Sequence, residues 1–177
     1  MSDAVLLIGS PGAGKSSVLE SLATLLEIDG TPHGRIESEV VGLGFPMLPP
    51  EAWIPMVEQV LILQRRAGCE LMLIAATPES EDELQQLRAL AGAHVIVICL
   101  TAPGAVAAAR VQEREPDSWP DKQWLVEHAR ELAETIPRFT GIDVAISTDG
   151  RAAADVAAEV RQLAIEHGVL SPVEGKP

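Results

Sequence analysis

The sequence predicts an α/β fold in three layers, a five-stranded parallel sheet flanked by helices, and three observations predict it. Short apolar runs alternate with longer amphipathic stretches along most of the chain, the βαβα pattern that covers both faces of a parallel sheet with helices. The apolar runs consist largely of Val, Ile and Leu, as strands buried on both faces require. A glycine-rich turn separates the first of these runs from the first amphipathic stretch.

The strands are expected at 4–8, near 33–36, and at 71–76, 94–100 and 143–147. A helix over 15–27 follows the glycine-rich turn, and one over 51–67 is closed by Gly68, a residue suited to a left-handed cap. Glu81, Asp82 and Glu83 put negative charge in the first turn of a helix ending at Gly92, where it complements the macrodipole. Thr101 and Pro103 open a helix reaching Arg114, by the cap and first-turn proline preferences. In the last helix Val156, Val160 and Leu163 share a face, and Gly168 ends it. Two segments break the alternation: 41–50, with Gly42, Gly44, Pro46, Pro49 and Pro50, and 113–121, with Pro116 and Pro120. Such loops gather at the ligand-binding end of an α/β sheet, which makes them candidates for a pocket and a lid. Residues 1–170 read as a single domain and 171–177 as a flexible tail.

Charge and composition remove several functions. The 177 residues carry 26 acidic against 13 basic side chains, a net charge of -13, so no basic footprint for nucleic acid or an anionic membrane is expected. A chain of this length buries about two-thirds of its unfolded surface and needs no disulfide or structural metal. The two cysteines, Cys69 and Cys99, match no metal or redox spacing and read as buried thiols in a reducing compartment. The first residues carry no basic leader and the first apolar run stops at Gly9, so a cytoplasmic location is expected. His33, His94, His128 and His167 show neither metal spacing nor a nucleophile partner. His128 falls at helical spacing with Leu125 and Leu132, as a partly buried helix residue would.

Gly9, Ser10, Pro11, Gly12, Ala13, Gly14, Lys15 and Ser16 fit G-x-x-x-x-G-K-[ST] without departure, after an expected strand and before an expected helix. This Walker A loop defines the P-loop NTPase fold. Backbone N–H groups in so glycine-rich a loop curl around phosphate oxygens, and the helix N-terminus adds partial positive charge. Gly9 through Ser16, with Ser17 beyond, are the expected nucleotide-binding residues; Lys15 would neutralise phosphates and Ser16 would ligate Mg²⁺. The positions of the guanine-specificity motifs hold Thr77-Pro78-Glu79-Ser80 and Thr101-Ala102-Pro103-Gly104, which disfavours a GTPase. The third strand, through Thr77, ends without the acid of a motor ATPase.

The early P-loop, the Glu37-Ser38-Glu39 acidic pair after the short second strand, and Leu100-Thr101-Ala102-Pro103 leading to Arg110 and Arg114 resemble the P-loop small-molecule kinases related to shikimate, gluconate and chloramphenicol kinases and, more distantly, adenylate kinase. The resemblance spans roughly residues 4–165. It implies ATP as donor with Mg²⁺, a small-molecule acceptor bound by residues about 31–66, and a mobile lid at about 111–124. It implies Glu37 on the metal side and Glu39 orienting or deprotonating the acceptor hydroxyl. Both are alternatively ordinary solvated charges. Two carboxylates one residue apart at a strand end can reach the same rim while pointing differently. By the same resemblance Arg114 clamps the transferring phosphoryl group and Arg110 contacts the nucleotide; the alternative is a surface arginine paired with Glu113 or Glu115.

Between Val40 and Gln64 there is no lysine or arginine, which points to an uncharged or weakly charged acceptor. A nucleoside monophosphate kinase gripping its acceptor through Arg35 or the Arg65-Arg66 pair stays open, as does a nucleotide-binding regulator without a small-molecule acceptor. Ala75-Ala76-Thr77 stands where shikimate kinases have a glycine cluster, so the gluconate-kinase type is nearer. Phe45, Met47, Trp53 and Met56 are candidates for the acceptor pocket, Met56 reading rather as core packing, and Trp119 for its closure. His33 is a further candidate beside the acceptor. The segment 147–151 is the expected adenine-side loop, contacting through backbone groups, with Asp149 a candidate helix cap.

Overall fold

A computed structural model describes residues 3–42 and 48–172. Phe45 and Met47 lie outside the described residues, as does the end of the expected tail, 173–177.

Five strands, β1 (Asp3–Ile8), β2 (His33–Glu37), β3 (Leu71–Ala76), β4 (His94–Thr101) and β5 (Val144–Ser147), form one sheet in the order β2-β3-β1-β4-β5. Every pairing is parallel, with Leu6 of β1 opposite Ile74 of β3 on one side and Val97 of β4 on the other. All the C-terminal strand ends therefore lie along one edge, and the residues following them converge there.

The strand sequences are apolar throughout because both faces are covered. Val5, Leu7, Leu73, Ile98 and Ile146 point to one face, where α1 (Lys15–Asp29) packs with Val18, Leu22 and Leu26 and α7 (Ala153–Glu166) with Val156 and Val160. Leu6, Ile8, Ile74, Val97 and Cys99 point to the other. That face is covered by Val57 and Leu61 of α3 (Pro50–Arg66), Leu84 and Leu87 of α4 (Glu81–Ala91), and Leu132. At about 1.5–3 kcal/mol for each buried large aliphatic side chain, these layers dominate the stability of the fold.

Two helices stand outside the five expected ones, although the spacing of Leu125, His128 and Leu132 points to the second. The short α2 (Ser38–Val41) follows β2 directly and meets the expected 41–50 loop only at Val41. The longer α6 (Lys122–Thr135) forms a hairpin with α5 (Gly104–Arg114), sealed by Ala108, Val111, Val126 and Ala129. Residues 115–121 form the connection between them.

Several end signals behave as expected and others do not. Ser80 caps α4, its hydroxyl accepting from the Glu83 N–H at 3.2 Å, and Gly68 is left-handed. Thr101 is not a helix cap: it ends β4, its hydroxyl donating to Ile146 O at 3.3 Å, and Pro103 precedes α5 without a side-chain cap. Asp149 is likewise no cap, since α7 starts after Ala152. Cys99 is buried, but Cys69 is only half-buried.

Candidate active site

The P-loop connects β1 to α1 at the C-terminal edge of the sheet. Its glycines are required by shape. Gly12 has φ +78, and a Cβ there would sit 2.2 Å from the backbone oxygen of Ala107. The loop is thus seated against α5, with no room for a side chain. Gly14 precedes α1 in a left-handed conformation, and this helix start has neither a side-chain cap nor an acidic residue in its first turn. The orphan N–H groups of that turn remain for an anion.

Lys15 is the first residue of α1 and is buried, with 5% of its surface exposed. Its Nζ donates to the carbonyls of Gly9 and Ser10, each at 3.1 Å, and pairs with Glu39 Oε1 at 3.2 Å. The Ser16 hydroxyl donates to Glu37 Oε2 at 2.5 Å. The acidic pair and the P-loop side chains therefore meet: Glu37, the last residue of β2, faces Ser16, and Glu39, on α2, faces Lys15. The α2 turn makes this possible, because it rotates Glu39 away from Glu37 where a continuing strand would have kept both on one face.

Glu39 also accepts a hydrogen bond from the hydroxyl of Thr77, immediately after β3. Burial pushes the Glu39 carboxyl up, but the Lys15 charge, hydrogen bonds from Thr77 and Lys15, and the nearby Arg114 charge outweigh it and hold the group below its ordinary value. Cys99, behind the loop on β4, is the converse: burial pushes its thiol up to about 11, opposed in part by Lys15. It is an inert packing residue.

Arg110 does not reach toward the acidic pair. Its Nη1 donates to Gly12 O and to Thr148 Oγ1, both at 3.1 Å, and its Nη2 to Thr148 O at 3.1 Å. Thr148 is buried, and its hydroxyl donates to Ala13 O at 2.9 Å. The pair locks the P-loop to the loop after β5. The sequence marks Thr148 only as part of the 147–151 loop and gives its side chain no role, because its partners are far off along the chain. A concave surface of about 200 Å³ lies beside this lock, lined by Gly14, Ser17, Arg110, Thr148 and Arg151 among others.

Arg114, at the end of α5, pairs with Glu115, its Nη2 2.6 Å from Oε1, which is the arrangement of the alternative reading. Lys122 staples the connection that follows, donating to Glu115 O and Asp117 Oδ1, each at 2.7 Å. Trp119 in this connection is 37% exposed.

The remaining candidates divide. Trp53 packs at the margin of the core on α3, whereas Met56 is 45% exposed and is no core residue. His33 starts β2 and bonds Thr31 O at 2.9 Å, at the end of the sheet opposite Glu37. Arg65 is committed to the end of α4, donating to Ala91 O at 2.6 Å, and Arg35 is exposed on the edge strand. His128 is partly buried on α6, as expected, with Nε2 3.0 Å from Glu79 Oε1. Trp124, not singled out in the sequence, stacks on His128 with ring centroids 4.7 Å apart.

No protein-family model and no curated protein sequence matches the chain. Solved structures do. A gluconokinase from Sinorhizobium meliloti aligns with a TM-score of 0.63 at 22% identity, covering 97% of this chain and 98% of its own. Shikimate kinase from Acinetobacter baumannii in complex with shikimate aligns with a TM-score of 0.60 at 20% identity, covering 94% of each chain. The APS kinase of Mycobacterium tuberculosis in complex with AMPPNP and APS aligns with a TM-score of 0.60 at 22% identity, covering 92% of this chain and 96% of its own. With its parallel sheet in the order 2-3-1-4-5 and its P-loop between β1 and α1, this chain has the fold of the P-loop small-molecule kinases.

Proposed function

We propose that this protein is a kinase that transfers the γ-phosphoryl group of ATP, with Mg²⁺, to a hydroxyl group of a small molecule. The observation that carries this reading is the convergence of two carboxylates on the two P-loop side chains, Glu37 on Ser16 and Glu39 on Lys15. A loop serving only to bind nucleotide has no need of a second carboxylate facing its lysine.

The residues fit both groups. The uncapped start of α1, the tight seat of Gly12 and the buried Lys15 amine suit phosphate oxygens. Ser16 Oγ and Glu37 Oε2 are adjacent hard oxygens, the donor type Mg²⁺ prefers. Among the described residues there is no cluster of three or more His, Cys, Asp or Glu that could hold a metal, so the ion would be shared with the nucleotide's phosphates. Bound there, Mg²⁺ would offset phosphate charge. Lys15 supplies further positive charge, and the Glu39 carboxylate, held beside it, accepts the proton of the acceptor hydroxyl. Thr77 orients that carboxylate, and Arg110 with Thr148 keeps the loop in register. We assign residues about 111–124 as the lid, comprising the end of α5, the 115–121 connection and the start of α6, and residues about 31–66 as the acceptor-side region.

Both cysteines are free, which suits the cytoplasm, and no described helix is long and apolar enough to cross a membrane. The engagement of Arg65 by the end of α4 removes one of the arginines that the nucleoside monophosphate kinase alternative would use, while Arg35 and Arg66 are exposed. The test is ADP release from Mg-ATP with a panel of hydroxyl compounds and nucleoside monophosphates, with Lys15→Ala as control. Acceptor-dependent release absent in the variant supports the reading; wild-type protein inert with every acceptor counts against it.

A further inference from the structure

We infer that the acceptor is a hydroxyl compound that also carries a protonated amine, an amino sugar or amino alcohol, held by Glu79 and the indole face of Trp124; this rests on the phosphoryl-transfer reading. The argument begins at the lysine of the P-loop. Lys15 pairs with Glu39, and Glu39 accepts from Thr77. Thr77 opens the loop after β3, and Glu79 lies two residues on, a span of at most about 7 Å. Glu79 in turn meets His128 at 3.0 Å, and Trp124, one helical turn earlier on α6, stacks on the same imidazole with an interplanar angle of 20°. Side-chain contacts and two residues of backbone thus connect the reacting end to Trp124 in one series.

Along this series the anchored groups are Thr77 and His128, and the open ones are Glu79 and Trp124, 56% and 52% exposed. A carboxylate and an indole face flanking one imidazole attract the same partner, a cation, by ion pairing and by the ring quadrupole. A protonated amine satisfies both at once. Four of the basic side chains that might receive an anionic acceptor are engaged elsewhere, while Arg35 and Arg66 are exposed. Lys15 is bound to two carbonyls and Glu39, Arg114 to Glu115, Lys122 to Glu115 O and Asp117, and Arg65 to Ala91 O. Near Glu79 the carboxyl of Glu83 is pushed up, by burial first, with the Glu79 N–H opposing and the Glu79 charge adding to it. In the reaction the acceptor oxygen bonds to the γ-phosphorus, the bond to the bridging oxygen breaks, ADP leaves with that electron pair, and the hydroxyl proton passes to Glu39. The amine keeps its charge and serves only to position.

The experiment compares amino sugars and amino alcohols with their N-acetylated counterparts and with sugar acids, reading acceptor-dependent ADP release by wild-type, Glu79→Gln and Trp124→Leu proteins. Expected is a kcat/KM for the free amine roughly tenfold or more above its N-acetyl form. Each variant should shrink that ratio, largely through KM for the amine. Both substitutions are at exposed positions, and a thermal melt verifies that each variant folds. Turnover of neutral or acidic acceptors at least as good as that of amines overturns this inference and leaves phosphoryl transfer standing. A preference for the amine that survives in both variants overturns the assignment of Glu79 and Trp124. Absence of turnover with every acceptor overturns both readings.

Discussion

Replacing Gly12 by alanine tests the seating of the P-loop against α5. Alanine at φ +78 costs about 1–2 kcal/mol through its left-handed conformation alone. The new Cβ would also lie 2.2 Å from Ala107 O, 2.9 Å from its carbonyl carbon and 3.0 Å from its Cα, all backbone atoms that cannot swing aside. Gly30 is the control, because its φ is +72 but nothing lies within 4 Å of its added Cβ. Gly30→Ala therefore isolates the conformational cost. For a chain of this size 1 kcal/mol moves Tm by about 2–4 °C, so Gly30→Ala should lower Tm by that order and Gly12→Ala by at least twice as much. Displacing the loop should also weaken binding of Mg-AMPPNP about tenfold or more in Gly12→Ala and leave it unchanged in Gly30→Ala. Thermal unfolding and calorimetric titration read the two effects. Equal losses of Tm with wild-type nucleotide binding in both variants would falsify the close contact between the P-loop and Ala107.

Lys15→Ala should abolish turnover, and Glu39→Gln should lower kcat by about 10²–10⁴, in assays of acceptor-dependent ADP release. Because the Glu39 value is depressed, the stability of its pair with Lys15 is present above the ordinary glutamate range and disappears as pH falls through the lower folded value. In Lys15→Ala burial acts on Glu39 with less opposition, so in urea midpoints against pH the acid-side loss should shrink, and reverse to a gain once the folded value exceeds the unfolded one. Thr148→Val removes the hydroxyl that joins Ala13 to Arg110 and should cost about 1–3 kcal/mol by denaturant unfolding. Lys122→Met frees Glu115 O and Asp117, and limited proteolysis should cut residues 115–121 faster than in the wild type.

Strand positions and the P-loop were legible because each depends on neighbours in sequence: runs such as Leu71-Met72-Leu73-Ile74 have one consistent environment, and the loop must be glycine-rich where it bends. What failed depended on direction or distance. His33 stands four residues before Glu37, but an extended strand carries those four residues to the opposite end of the sheet. Met56 has the composition of a core residue, and only the rotation of α3 decides that it faces outward. The four-residue α2 is too short for any periodicity to register, yet it separates the two carboxylates. Thr148 acts through residues brought together only by the closed sheet, and no local signal marks that role.

The pairing of Lys15 with Glu39 gives the chain an anion of its own where phosphate is expected to bind. An incoming nucleotide then competes with an internal ligand whose effective concentration never falls, and part of its binding free energy goes into evicting it. Glutamine at position 39 should consequently bind nucleotide more tightly while turning it over more slowly, opposite signs from one substitution. Eviction would also release the carboxylate from its counter-charge, so that, as the proposed base, Glu39 would become a better proton acceptor at the moment a donor phosphate had arrived. In the proposed reaction the ion pair would thereby work as a sequence control, keeping the base muted until there is something for it to act upon.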